Sequence, residues 1–211
     1  MRLLHLLYDF CNLYGDYGNI LAMQRTLFCK DIDRISAQDM SGEIDFTQYD
    51  FIYIGSATEK NQHIALELLR PHTDALAAAL EGGTIMLATG NSFEMFGKSI
   101  TDSDGVTYQG LGMFDFYTKE TDERIVTDQK AQFNDIQVIG FVNKCSLIYG
   151  IDSPMFTVSE GVGNNEEDKG EGIIKGNFYG THLIGPLLIR NEKLAAYFYL
   201  QVNRKYKSKA E

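Results

Sequence analysis

The chain has 211 residues, 44% of them hydrophobic and 12% aromatic, with three prolines; this suits a single globular domain over residues 1–211 and argues against a disordered or low-complexity chain. Its net charge of -10 sets the surface against phosphate backbones and anionic headgroups, which argues against nucleic acid and bare membrane as partners. Cys11, Cys29 and Cys145 are odd in number and form no CxxC pair, so they read as neither a disulfide framework nor a zinc site and point to a reducing cytoplasm. No run approaches the roughly 18–20 apolar residues that a membrane span needs.

Leu3 to Tyr8 is a near-continuous apolar run, the pattern of a strand buried on both faces. A loop rich in Gly, Asn and Asp follows from Asp9 to Asn19, and Ile20 to Lys30 has helical spacing with Leu21, Met23, Leu27 and Phe28 as candidates for its buried face. Phe51 to Ser56 is a second strand ending in a small-residue turn. The helix predicted from Asn61 to Leu80 is interrupted or kinked by Pro71. Thr84 to Thr89 is a third strand, and Gly90-Asn91-Ser92 turns tightly into a helix carrying Phe93, Met95 and Phe96, with Gly97 as its stop.

This alternation predicts a parallel α/β sheet with short connections. The second half is more antiparallel, with strands at Arg124–Val126, Gln137–Asn143 and Met155–Val158. Gly161 to Gly176 reads as a loop too polar for core. Phe178 to Leu188 carries a strand and turn, and Leu194 to Tyr206 is a closing amphipathic helix. The basic tail of Arg204, Lys205, Lys207 and Lys209 reads as a solvated helix end.

Ligands in open α/β sheets bind beyond the C-terminal ends of the strands. Three such ends stand out here: Asn12–Asn19, Gly55–Glu59 and Thr89–Ser92. The third resembles a strand-to-helix elbow that presents a nucleophile, but its corner residue is Gly90, which has no side chain.

The segments Asn12-Leu13-Tyr14-Gly15-Asp16-Tyr17-Gly18-Asn19-Ile20, Gly110 to Thr118, Gly140-Phe141-Val142-Asn143, Gly163-Asn164-Asn165 with Glu171-Gly172, and Gly180 to Leu188 occur in the order of a known pattern. Together they resemble cobyric-acid-synthase-like class I glutamine amidotransferases, most closely the amidotransferase subunits of lipid II amidation. The resemblance implies a flavodoxin-like three-layer α/β fold with a largely parallel central sheet and a more antiparallel C-terminal part. It implies no cofactor and no metal. It also implies a Mur-ligase-like partner subunit.

In that family an elbow Cys attacks the side-chain amide of glutamine, and a His on a later strand is its base. The pattern places the Cys at Gly90, the elbow's Gln at Glu94 and the His at Ile184. A further departure is Lys144, where the family continues into His. With both catalytic positions degenerate, the resemblance implies a non-catalytic subunit. The alternative is an active glutaminase or hydrolase with displaced residues, Ser92 and His182; the other reading of His182 is a hydrogen-bonded structural histidine.

Arg124 stands where the family carries an arginine associated with glutamine capture. It reads either as a fork for a small carboxylate such as glutamine or as a surface partner of Asp122 or Glu123. Gly55, Ser56, Asn91, Tyr14 and Asp16 are the other ligand-binding candidates. Cys11 and Cys145 read as small buried thiols, and the acidic run Glu166 to Glu171 as a solvated loop rather than a metal site.

Overall fold

The computed structural model covers residues 1–29 and 32–208. Lys209 of the basic tail and Lys30, the expected end of the first helix, lie outside the described residues.

In chain order the first half is β1 (Leu3–Leu6), α1 (Tyr17–Thr26), β2 (Ile32–Ile35), β3 (Phe51–Ile54), α2 (Glu59–Leu69), α3 (Thr73–Glu81) and β4 (Ile85–Thr89). An insertion follows: β5 (Ser99–Thr101), β6 (Thr107–Gln109), β7 (Tyr117–Phe133), β8 (Ile136–Tyr149), β9 (Phe156–Glu160) and β10 (Gly170–Glu171). The chain then returns as β11 (Ile173–Lys175), β12 (Phe178–Thr181), α4 (Leu187–Arg190) and α5 (Glu192–Ser208).

The central sheet has the order β11-β12-β4-β3-β1-β2 and is parallel except for β11. β1, β3 and β4 are buried on both faces because both are covered. Leu4, Leu6, Ile52, Ile54, Met86 and Ala88 pack with α2 and α3, while Leu3, Phe51, Tyr53, Ile85 and Leu87 pack with α1 and α5. This is the expected three-layer architecture.

Pro71 acts as the sequence predicts: α2 ends at Leu69, a 3-10 turn spans Arg70–His72, and α3 begins at Thr73. Several expectations need correction: Leu21 and Phe28, expected on the buried face of the first helix, are 42% and 86% exposed. α1 starts at Tyr17, ahead of the first apolar position, because Asp16 and Asn19 are fully buried against the sheet and carry the chain into the helix. The helix expected after Thr89 is of the 3-10 type, Gly90–Phe96, and stops at Gly97 as the sequence predicts. β2, half-buried at the sheet edge, lacks the apolar run that marks the other strands and was not anticipated.

The second sheet is dominated by the β7–β8 hairpin, turned by Asn134-Asp135 with Asn134 at φ +49°. β7 is much longer than the predicted strand because its outer residues are exposed and polar, which hides it from a hydrophobicity reading. Its pairing with β8 slips between Glu120, opposite Ser146, and Ile125, opposite Lys144. Bulges of this kind re-aim side chains, and this one presents Glu120 and Arg124 to one pocket.

The Gly161–Gly176 segment is not simply a solvated loop. Asn164 and Glu171 are buried within it, and Asn164 bonds both the amide (2.8 Å) and the carbonyl (3.1 Å) of Gly172. Paired in this way, polar side chains enter a core at little cost.

Candidate functional site

The C-terminal ends of β3 and β4 meet at a cavity of about 150 Å³. Ser56 and Thr58 follow β3, Gly90 and Asn91 follow β4, and the β7–β8 bulge closes the opposite side with Glu120, Arg124 and Cys145. The corner residue, Gly90, has φ +63°, a conformation that costs a residue with a Cβ roughly 1–3 kcal/mol. A Cβ built on it would lie 2.1 Å from Ser56 Oγ and 2.6 Å from Ser56 Cβ. The Ser56 side chain therefore stands where an elbow side chain would begin.

Beneath the corner lies a buried polar network. Glu94 Oε1 accepts from Ser146 Oγ (2.6 Å) and lies 2.8 Å from His182 Nε2, and Glu94 Oε2 accepts from Gln62 Nε2 (2.9 Å). The His182 amide donates to Glu171 Oε1 (2.7 Å), and Thr181 Oγ1 donates to Glu171 Oε2 (2.6 Å). Glu94, His182 and Glu171 are each at most 2% exposed, so His182 Nε2 answers Glu94 in a medium that screens little, while Nδ1 has no hydrogen-bond partner and lies 3.6 Å from Glu171 Oε1.

At the rim Arg124 is engaged internally. Nη2 pairs with Glu59 and Nη1 donates to Asn143 Oδ1 (3.0 Å), while Asn143 Nδ2 donates to Tyr14 Oη (3.0 Å). Burial pushes the Glu59 carboxyl up, but Arg124, a backbone amide and the Cys145 thiol (3.2 Å) together hold it below its ordinary value. Burial, and then Glu59, push the Cys145 thiol up to about 12, so it is a poor nucleophile. Burial and the nearby carboxylates of Glu94 and Glu59 push Glu120 up to about 7.

Of the predicted site residues, Gly90, Ser56, Asn91, Tyr14 and Arg124 converge on this cavity. Asp16 and Gly55 do not line it. Asp16 is fully buried behind the wall and accepts the Ser56 amide, and Gly55 packs so tightly on Asp16 and the Cys11 carbonyl that a Cβ would lie 2.6 Å from the latter. Burial pushes the Asp16 carboxyl up to about 6, although hydrogen bonds from Ser56, Tyr53 and Thr89 favour its charged form. Asp16 thus sets the shape of the β3 turn.

Ile184 is also absent from the lining. It is fully buried, with its amide bonded to the Phe141 carbonyl (2.9 Å). Arg124 pairs with neither Asp122 nor Glu123, because the bulge turns it toward α2. Cys145 is half-buried on the wall rather than in the core, while Cys11 is fully buried. Lys144 is buried, with Nζ on the carbonyls of Gly163 (2.8 Å) and Asn164 (3.3 Å).

Ser92 and His182 share no hydrogen bond. Ser92 Oγ donates to the Gly55 carbonyl, and His182 faces Glu94. The roles of Gln62, Glu59, Glu120 and Ser146 escape sequence reading because each depends on a contact spanning more than 30 residues or on the bulge.

Residues 4–192 match the CobB/CobQ-like glutamine amidotransferase domain. The chain is 31% identical over 200 residues to the Staphylococcus aureus lipid II isoglutaminyl synthase (glutamine-hydrolyzing) subunit GatD, covering 93% of this chain and 82% of that protein. It is 29% identical over 204 residues to the Streptococcus pneumoniae protein of the same name, covering 92% and 77%. Among solved structures, a glutamine amidotransferase from Thermotoga maritima superposes with a TM-score of 0.56 at 11% identity, covering 100% of this chain and 86% of that one. Another glutamine amidotransferase superposes with a TM-score of 0.58 at 11% identity, covering 95% and 98%. Both establish a common fold.

Proposed function

The chain belongs to the CobB/CobQ-like glutamine amidotransferase domain family, and from that premise we propose that it is a non-catalytic amidotransferase-like subunit that binds a Mur-ligase-like partner in lipid II amidation or a related amide-forming reaction. The observation that carries the reading is the filled corner. Residue 90 has no side chain, and Ser56 occupies the space in which one would begin.

Amide hydrolysis through this elbow needs a nucleophile at the corner and a base within hydrogen-bond reach of it. Position 90 supplies neither atom nor room, and the buried histidine nearby is committed to Glu94. A family fold kept without that chemistry is the expected outcome when selection acts on a surface and a scaffold. Under this reading the partner takes its ammonia from solution or from another subunit. The whole domain, residues 1–211, acts as one unit.

A small carboxylate such as glutamine draws little support as a ligand, because Glu59 and Asn143 already occupy the Arg124 fork. The active-enzyme reading through Ser92 and His182 draws none, because Ser92 Oγ is spent on the Gly55 carbonyl and His182 on Glu94. The partner reading is tested by passing the purified chain over an immobilised Mur-ligase-like protein from the same organism. A stoichiometric complex is expected, and a chain that stays monomeric beside every such ligase would overturn it.

A further inference from the structure

The elbow cavity has an imbalance of charge and of hydrogen bonding. Of its three carboxylates, Glu59 is held by Arg124, and Glu94 by His182, Gln62 and Ser146. Lys144 gives its ammonium to two backbone carbonyls. The Glu120 carboxylate makes no hydrogen bond or ion pair with any described residue. It stands where the cavity opens into a second groove that carries Asp102 and Asp104 together with Lys60 and His63, neither of which forms an ion pair with it.

Inside, two buried oxygens lack a donor. Gln62 is fully buried and spends Nε2 on the Asn91 carbonyl (2.6 Å) and Glu94, which leaves Oε1 unpaired. Ser56 is 2% exposed, and its Oγ, poised over Gly90, has no partner. An unpaired buried acceptor is destabilising, and a ligand that brings donors removes that cost.

We propose that the elbow cavity binds a small primary ammonium cation, its N–H groups donating to Gln62 Oε1 and Ser56 Oγ and its charge answered by Glu120. A carboxylate would meet the opposite situation, since the one available guanidinium is paired and the unpaired charge at the mouth is negative. The elevated Glu120 carboxyl agrees with this: burial first, and then the carboxylates of Glu94, Glu59 and Asp102, outweigh the charge of Arg124. The site is independent of whether the chain docks on a ligase.

The test is a titration of the whole isotope-labelled chain with ethylammonium chloride at about pH 8, where both Glu120 and the amine are charged, read by amide NMR shifts. Saturable shifts are expected at Gly90, Asn91 and Ala57. Tetramethylammonium, which has the charge but no N–H donor, is expected to leave those amides unmoved. Glu120→Gln, a change at a half-buried rim position, should weaken ethylammonium binding about tenfold or more, and Ser56→Ala a few-fold.

The proposal is overturned if ethylammonium gives no saturable shift, if tetramethylammonium matches it, or if Glu120→Gln binds equally well. Acetate saturating the same amides would assign the cavity to a carboxylate and likewise overturn it.

Discussion

Placing a methyl group on residue 90 tests the filled-corner argument by thermodynamics alone. Gly90→Ala adds one carbon at a position with φ +63°, which costs about 1–3 kcal/mol for a non-glycine residue. The same carbon would lie 2.1 Å from Ser56 Oγ and 2.6 Å from Ser56 Cβ, so one group must move, adding about 1–3 kcal/mol of overpacking. The expected loss is about 2–6 kcal/mol, a large fraction of the roughly 5–15 kcal/mol that holds such a domain together. Ser56→Gly removes the opposing atoms, so the double variant should recover the overpacking share and leave only the backbone strain. Urea denaturation of the four proteins in a double-mutant cycle reads this as a favourable coupling of about 1–3 kcal/mol. Additive losses, or a Gly90→Ala variant as stable as the parent, would refute the claim that Ser56 fills the corner.

Other predictions concern the network and its titratable groups. Glu94→Ala leaves His182, Gln62 and Ser146 without their shared acceptor and should cost about 3–5 kcal/mol by denaturant titration; a loss under about 1 kcal/mol would mean the network is solvated. His5 is buried without a hydrogen-bond partner, and burial, then Arg34, lowers its pKa to about 4 from the ordinary 6.5. The folded state thus takes up its proton less readily than the unfolded one, and about 3 kcal/mol present above pH 6.5 is lost as the pH falls toward 4. His5→Leu should flatten that part of the stability profile, and parallel profiles for the two proteins would contradict it. The Cys145 thiol, at about 12, should be alkylated at neutral pH more than about tenfold more slowly than free cysteine, followed by mass spectrometry. Fast labelling would show that burial and Glu59 do not hold it protonated.

The central sheet was legible because β1, β3 and β4 are buried on both faces and carry unbroken apolar runs. Pro71 marked its helix break for a local steric reason. The long hairpin was only partly legible, since most of the β7 side chains between Tyr117 and Asp128 are exposed and polar and the hydrogen-bond ladder leaves no trace in hydrophobicity. Gly90 could be placed from the tight turn after an apolar strand. Its partner Ser56 was named as a candidate, but its position over Gly90 follows from the parallel pairing of β3 with β4. The assignment of Asp16 and Gly55 to the ligand surface failed because a loop residue can serve the back of a wall as well as its face. Glu120 and Arg124 gain their meaning from a bulge that only the register of two strands defines.

The most direct test of the account is ammonia release from glutamine by the purified chain, measured alone and with a Mur-ligase-like partner bound. A rate indistinguishable from buffer in both conditions is predicted, because the corner at Gly90 holds no nucleophile. Ammonia release that tracks the chain and disappears in Ser92→Ala or His182→Ala would contradict it.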